Sequence, residues 1–255
     1  MTDPILMHAR EDGIAIITLN RPEQRNCLSK EVREALFAAW DWFEHDPALR
    51  IAILTGAGDK SFCAGGDLKE MVETGMSVPA RDFIPLPYDN LELTKPTIAA
   101  VNGFAFAGGW ALAQNCDLCV ASTNAKFAIT EVKVGRGSPW AAPLINMIPQ
   151  RIMMEIILTG KPITATRAYE IGLVNRLAEP AELMDAAIAL ALEVLEGAPL
   201  SVKAGRETVM LATEMGRAAA LMAGRAAHEH TYKSEDAQEG PRAFAEKRKP
   251  VWQGK

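Results

Sequence analysis

Lys95-Pro-Thr-Ile-Ala-Ala-Val-Asn-Gly-Phe-Ala-Phe-Ala-Gly-Gly-Trp-Ala-Leu-Ala-Gln-Asn-Cys116 is the stretch on which the reading of this chain turns. From Pro96 to Cys116 it runs for 21 residues without a charge, nominally enough to cross a bilayer. Pro96, Asn102, Gly103, Gly108, Gly109, Gln114 and Asn115 make it too polar and too broken for a membrane span. It divides instead into an apolar strand from Lys95 to Val101, a glycine turn and the start of a helix. Adjacent glycines let the backbone present its N–H groups to a ligand without interference from Cβ. Where such a turn opens a helix, the unpaired N–H groups and the positive end of the helix dipole point at the same spot. An oxygen atom that becomes negative during a reaction fits there.

Working outward, a second turn of the same kind, Ser61-Phe-Cys-Ala-Gly-Gly-Asp-Leu68, follows a second apolar strand, Arg50 to Thr55. Gly13 to Leu19 reads as a further strand, closed by Asn20-Arg21-Pro22. Ser29 is expected to cap a helix in which Val32, Ala35, Leu36, Ala39, Trp40 and Phe43 recur at three- and four-residue intervals. After about residue 140 the pattern becomes helical, with segments at 152–159, 165–171, 181–196, 200–213 and 216–232. Residues 73–91, with Pro79, Pro85 and Pro87, read as a long mobile loop of the kind that covers substrates. Strand alternating with helix, followed by helices alone, gives an α/β core with a helical C-terminal extension.

Composition narrows the function. The chain has 255 residues, 49% hydrophobic and 23% charged, which is ordinary globular usage. Its net charge is -5 with the positive side chains scattered, so nucleic acid is not the expected partner. The first ten residues carry no export signal, and a cytoplasmic location is expected. Cys116 and Cys119 have redox-pair spacing but sit in an apolar run, and reduced buried thiols suit them better. Neither the dinucleotide-binding Gly-x-Gly-x-x-Gly, nor the Walker Gly-Lys-Ser/Thr, nor the Gly-x-Ser-x-Gly elbow occurs where it is needed. The histidines, His8, His45, His228 and His230, do not assemble with carboxylates into a metal set, and no metal is expected.

The two turns together, Phe62-Cys-Ala-Gly-Gly-Asp67 and Lys95 to Gly103 running into Gly108-Gly109, resemble the crotonase superfamily of enoyl-CoA hydratases and isomerases. Asn20-Arg21-Pro22, residues 127–135, Leu158-Thr-Gly160, residues 168–175 and residues 239–248 are similar to that family's landmarks, in order, across the chain. The stretch from Ser234 to Trp252 is similar to that of carnitinyl-CoA dehydratase-type members. The resemblance implies a spiral of ββα units over residues 1–195. It implies a helical region at 196–255 for oligomerisation and CoA docking, a homotrimer or dimer of trimers, and an acyl-CoA substrate. It implies no cofactor, since coenzyme A enters as part of the substrate. On this match the backbone N–H groups of Gly66 and Gly108 form an oxyanion hole for the thioester carbonyl. Ala64, Asp67, Leu68, Trp110, Trp140 and Lys247 are the candidate substrate-binding residues: the two tryptophans either wall the acyl pocket or are ordinary core aromatics, and Lys247 either reaches a CoA phosphate from a neighbouring subunit or is a solvated surface side chain.

Family hydratases use two glutamates. On the same match the second is Glu131, in Ile129-Thr-Glu-Val-Lys-Val-Gly135, while the first falls on Ala111. Hydration needs a water deprotonated on one side of a double bond and a proton delivered on the other, which two fixed carboxylates share. A single base can take a proton from one carbon and return it two carbons away, so the departure favours double-bond isomerisation. A replacement acid from Asp82, Asp89, Glu92 or Tyr88 would restore hydration. Three alternatives stay open at this point: a surface ion pair of Glu131 with Lys133 or Arg136, a catalytically degenerate acyl-CoA-binding protein, and thioester hydrolysis.

Overall fold

The computed structural model describes residues 3–255. The chain begins with β1 (Ile5–Ala9), β2 (Ile14–Leu19), α1 (Lys30–His45), β3 (Ile51–Gly56), β4 (Ser61–Cys63) and α2 (Leu68–Glu73). It continues through β5 (Thr97–Val101), β6 (Phe104–Phe106), α3 (Gly108–Gln114), β7 (Leu118–Ser122), β8 (Lys126–Ala128), α4 (Gln150–Thr159), β9 (Ile163–Thr164), α5 (Ala165–Glu170) and β10 (Arg176–Ala178). It closes with α6 (Leu183–Leu195), α7 (Pro199–Glu214), α8 (Arg217–Tyr232) and α9 (Asp236–Ala245). No helix among the described residues is long and apolar enough to cross a membrane. The uncharged run opening at Pro96 becomes β5, β6 and α3, two strands and a helix where one strand and a helix were expected.

The strands form two sheets. The larger has the order β1-β2-β3-β5-β7-β10, parallel except where β1 meets β2. Every residue of β3 and β5 is buried, as a parallel strand covered on both faces requires. The smaller sheet has the order β4-β6-β8-β9, with β4, β6 and β8 parallel and β9 antiparallel to β8. Chain order alternates between the sheets: β3 leads to β4, β5 to β6, and β7 to β8. Each passage is one turn of a ββα spiral, and the first two end in α2 and α3.

This alternation positions the site. β4, β6 and β8 lie side by side in parallel, with Cys63 opposite Ala105 and Phe106 opposite Ala128. Gly66 follows the end of β4 by three residues, Gly108 that of β6 by two, and Glu131 that of β8 by three. All three therefore leave from the carboxyl edge of the same small sheet, where open α/β folds place their ligands.

The chain divides into two compact units, one containing the residues up to Leu93 and Thr97–Ala191, the other Thr94–Pro96 and Leu192–Lys255. The boundary falls within α6. In the second unit α8 packs on α7, and a methyl group added at Gly224 would lie 3.1 Å from Thr208 Cγ2. Its last residues are held by the buried Asp236 carboxylate, which accepts from the backbone N–H of Gln253 at 2.7 Å and of Gly254 at 2.9 Å.

Ser29 occupies the N-cap of α1, but its hydroxyl takes a hydrogen bond from Arg21 at 2.7 Å and does not cap. Glu70 reaches across from α2 to accept the Lys30 N–H at 2.8 Å instead. The expected local cap is thus replaced by a tertiary one.

Candidate active site

Two glycines make the turns possible. A methyl group at Gly109 would overlap the Cys63 carbonyl oxygen, so α3 can approach β4 only because this residue lacks Cβ. One added at Gly65, whose φ is +93°, would sit 3.2 Å from the Gly108 nitrogen. The two turns are therefore in direct contact. Ala107, the N-cap of α3, takes φ +52° and ψ -124°, a conformation that glycine adopts readily and alanine does not. It is held there by its N–H bond to Ala128 O at 2.9 Å, which also ties the α3 turn to the strand leading into Glu131. Among the described residues neither the Gly66 N–H nor the Gly108 N–H finds an acceptor. Two main-chain donors without an acceptor, one of them at a helix N-terminus, are groups of the kind that can stabilise an anion.

Glu131 opens a short 3₁₀ turn, Glu131–Val134, and is 9% exposed. Its Oε1 accepts from the Trp140 indole N–H at 2.8 Å, while its buried Oε2 has no partner. Burial pushes its pKa above the ordinary glutamate range, and hydrogen bonds from the backbone and from Trp140 oppose that rise. The surface-pair alternative is not met. Arg136 donates from Nη1 to Met76 O at 3.0 Å, and Glu131 is a buried side chain whose hydrogen-bond partner is Trp140. A buried carboxylate with one free oxygen and a raised pKa is suited to proton transfer.

The remaining expected site residues divide by environment. Ala64 is half-buried, its N–H bonded to Arg25 O at 3.1 Å, and Leu68 is exposed at the start of α2. Asp67 is the N-cap of α2, accepting from the N–H groups of Lys69 at 3.0 Å and Glu70 at 3.3 Å, with the Cys27 thiol also against it. Trp110, for which an acyl-pocket wall and an ordinary core aromatic were both open, is buried and edge-on to Phe127 at 5.7 Å between ring centroids. With Gln114, Phe127 and Asn175 it lines a cleft of about 160 Å³. Trp140 is half-buried beside Glu131, and Lys247 is exposed just beyond α9 in the second unit.

The loop expected to cover the substrate is closely tied to both turns. Phe83 stacks on the Arg33 guanidinium 4.0 Å from its ring centroid, and a methyl group at Gly108 would meet Ile84 Cδ1 at 2.9 Å. Within the loop, the Asn90 amide donates to Arg81 O at 2.8 Å and Ile84 O at 2.7 Å, and Arg81 pairs with Asp89 at 3.0 Å. Two of the suggested replacement acids are thereby engaged, because Asp89 holds Arg81 and the Tyr88 hydroxyl donates to Asp117. Arg33 and Glu70, which the sequence reading did not single out, brace the Gly66 turn. Arg33 donates to Leu28 O at 2.7 Å and to both Glu70 oxygens, at 2.7 and 3.3 Å. Cys63 and Cys119 are buried thiols, each pushed up to about 12 by desolvation, unlike the exposed low-pKa thiolate of a redox pair.

Known proteins share the fold described above. Residues 9–255 match the enoyl-CoA hydratase/isomerase family. The chain is 39% identical over 246 residues to the (E)-benzylidenesuccinyl-CoA hydratase of Thauera aromatica, covering 94% of this chain and 96% of that one. It is 40% identical over 260 aligned positions to the carnitinyl-CoA dehydratase of Salmonella agona, covering 98% of both. Among solved structures, the enoyl-CoA hydratase EchA1 from Mycobacterium marinum superposes over the whole of both chains with a TM-score of 0.92 at 38% identity. An enoyl-CoA hydratase from Mycobacterium tuberculosis H37Rv does so with a TM-score of 0.91, also at 38% identity. Twin glycine turns on adjoining parallel strands, a spiral fold shared over its full length and relatives that are themselves hydratases and dehydratases lead to one conclusion: this chain is an enzyme of the enoyl-CoA hydratase/isomerase family, within the crotonase superfamily.

Proposed function

We propose that the enzyme binds an acyl-CoA thioester with its carbonyl oxygen against the N–H groups of Gly66 and Gly108, and moves protons with Glu131 as its single acid/base. The observation carrying this reading is the unpartnered Glu131 Oε2 at the sheet edge that also bears two unused amide donors. Removing a proton beside a thioester gives an enolate whose charge collects on the carbonyl oxygen. Two donors already in place stabilise it, and losing one such donor typically costs about a hundredfold to a thousandfold in rate. Burial keeps Glu131 basic enough to accept a carbon-bound proton and acidic enough to return it.

Ala111, one helical turn into α3 and fully buried, brings no second carboxylate to the site. The proton taken by Glu131 is therefore returned to another carbon, and conversion of 3-enoyl-CoA to 2-enoyl-CoA is the favoured activity. The relatives named above favour a second reading, hydration or dehydration with the water handled by another group. Assaying 3-enoyl-CoA isomerisation beside crotonyl-CoA hydration separates the two. We expect isomerisation to dominate, and fast hydration without isomerisation overturns that order. Glu131→Gln should abolish solvent-deuterium incorporation into bound acyl-CoA, and retention of the wild-type rate removes Glu131 from the mechanism. The same reading gives Lys247 a CoA phosphate and the enzyme a homotrimeric or hexameric assembly, testable by sedimentation.

A further inference from the structure

Glu131 is buried on a short 3₁₀ turn, and one of its two oxygens is fixed by a residue nine positions later. Trp140 Nε1 donates to Glu131 Oε1 at 2.8 Å. Trp140 is in turn held from α3, since Gln114 Nε2 donates to its carbonyl oxygen at 2.6 Å. Gln114 is 6% exposed and lies in the same short helix as Gly108. A three-residue relay thus runs from the helix that carries one amide donor, through Trp140, to the carboxylate.

A carboxylate has two equivalent oxygens and rotates between them, so a base that must collect a proton and hand it back within one bound substrate needs a single oxygen held toward that substrate. An indole N–H can only donate, which makes it a one-sided clamp. It occupies Oε1 and leaves Oε2, which has no other partner, as the oxygen that exchanges protons. We infer that Trp140 is a positioning residue whose indole N–H selects Oε2 of Glu131 as the reacting oxygen, with Gln114 fixing Trp140 in turn. This rests on Glu131 being the acid/base proposed above. It adds a requirement that a simple wall of the acyl pocket does not make: the N–H matters, and not only the ring.

Trp140→Phe tests it, because the aromatic bulk stays and the donor goes. Holding a reacting group in place is worth about a hundredfold per ångström of misplacement, and a released but still buried carboxylate should lose about tenfold to a hundredfold in kcat with KM nearly unchanged. The N–H favours the charged carboxylate, so its loss should also move the acidic limb of the kcat–pH profile to higher pH. Wild-type kcat and an unmoved acidic limb in Trp140→Phe overturn the inference. Glu131→Gln, run in parallel, distinguishes the two failures: loss of exchange there with an unaffected Trp140→Phe sinks the clamp alone, whereas retained exchange sinks the base itself. If Trp140→Phe fails to fold, the indole N–H resonance of Trp140 in the full-length enzyme carries the test. It should shift as pH crosses the Glu131 titration and lose that dependence in Glu131→Gln, and a pH-independent resonance in wild type overturns the inference.

Discussion

Ala107 holds a backbone conformation that costs a side-chain-bearing residue on the order of 1–3 kcal/mol. Ala107→Gly should therefore raise the melting temperature by a few degrees in a thermal melt, with catalysis unchanged provided the N–H of Gly108 stays in place. Glu131 bears a different cost. Its folded pKa is raised by burial, so the contribution of its protonated form to stability is present below the ordinary glutamate range and is lost as pH rises through the raised value. Glu131→Gln should accordingly stabilise the fold near pH 7, by an advantage that shrinks toward pH 4, while activity is lost. Denaturant melts at the two pH values measure this, and an advantage independent of pH would contradict the burial argument. The glycine turns and Glu131 stood out in the sequence only through the order of the landmarks around them, since a glycine pair by itself is as well explained by tight strand-to-helix packing. Trp140's partnership did not stand out, since no local pattern tells an indole which carboxylate it will meet. A core position for Trp110 was one of two open readings, and the partner that settles its burial, Phe127, comes from β8.

At the level of elements, the Gly66 turn depends on α2, a single short helix anchored mainly by Glu70. Arg33 and Glu70 are 11% and 19% exposed at their side chains, and Arg33 holds the Glu70 pKa below the ordinary glutamate range. A lowered folded pKa gives stability that is present above the ordinary value and is lost as pH falls through the folded one. Glu70→Ala removes this pair and the tertiary cap of α1 together, and should cost about 1–3 kcal/mol in denaturant unfolding at pH 7. It should also weaken acyl-CoA turnover by loosening the turn that bears the Gly66 amide. Elements with a full repeat of apolar positions, such as α1, α6 and β3, were predictable within a residue or two. The three-residue strands β4, β6 and β8 were not, because three residues contain no period to read, and their existence follows from pairing with one another. The helix α9 was also missed. Its stretch Asp-Ala-Gln-Glu-Gly-Pro carries the glycine and proline that normally end helices.

On the scale of the whole molecule, the fold was recognisable from the order of its landmarks, whereas the meeting of Gly66, Gly108 and Glu131 at one sheet edge depends on the chain alternating between two sheets. In the second unit the Glu239 carboxylate accepts from Arg248 and from the Val251 N–H at 2.8 Å, and Arg248 holds its pKa down to about 2. The closing segment should therefore remain tied as pH falls through 4. Amide exchange at Val251 should stay protected there in the wild type and lose protection in Glu239→Ala. The contact between Gly109 and Cys63 and the strained Ala107 carry a broader lesson. The turn that opens α3 is contrary to local preference and is held in shape by the neighbouring strand. A synthetic peptide spanning the two strands and helix would relax into another shape, so an artificial catalyst that borrows these amides would have to import the adjoining strands along with the loop.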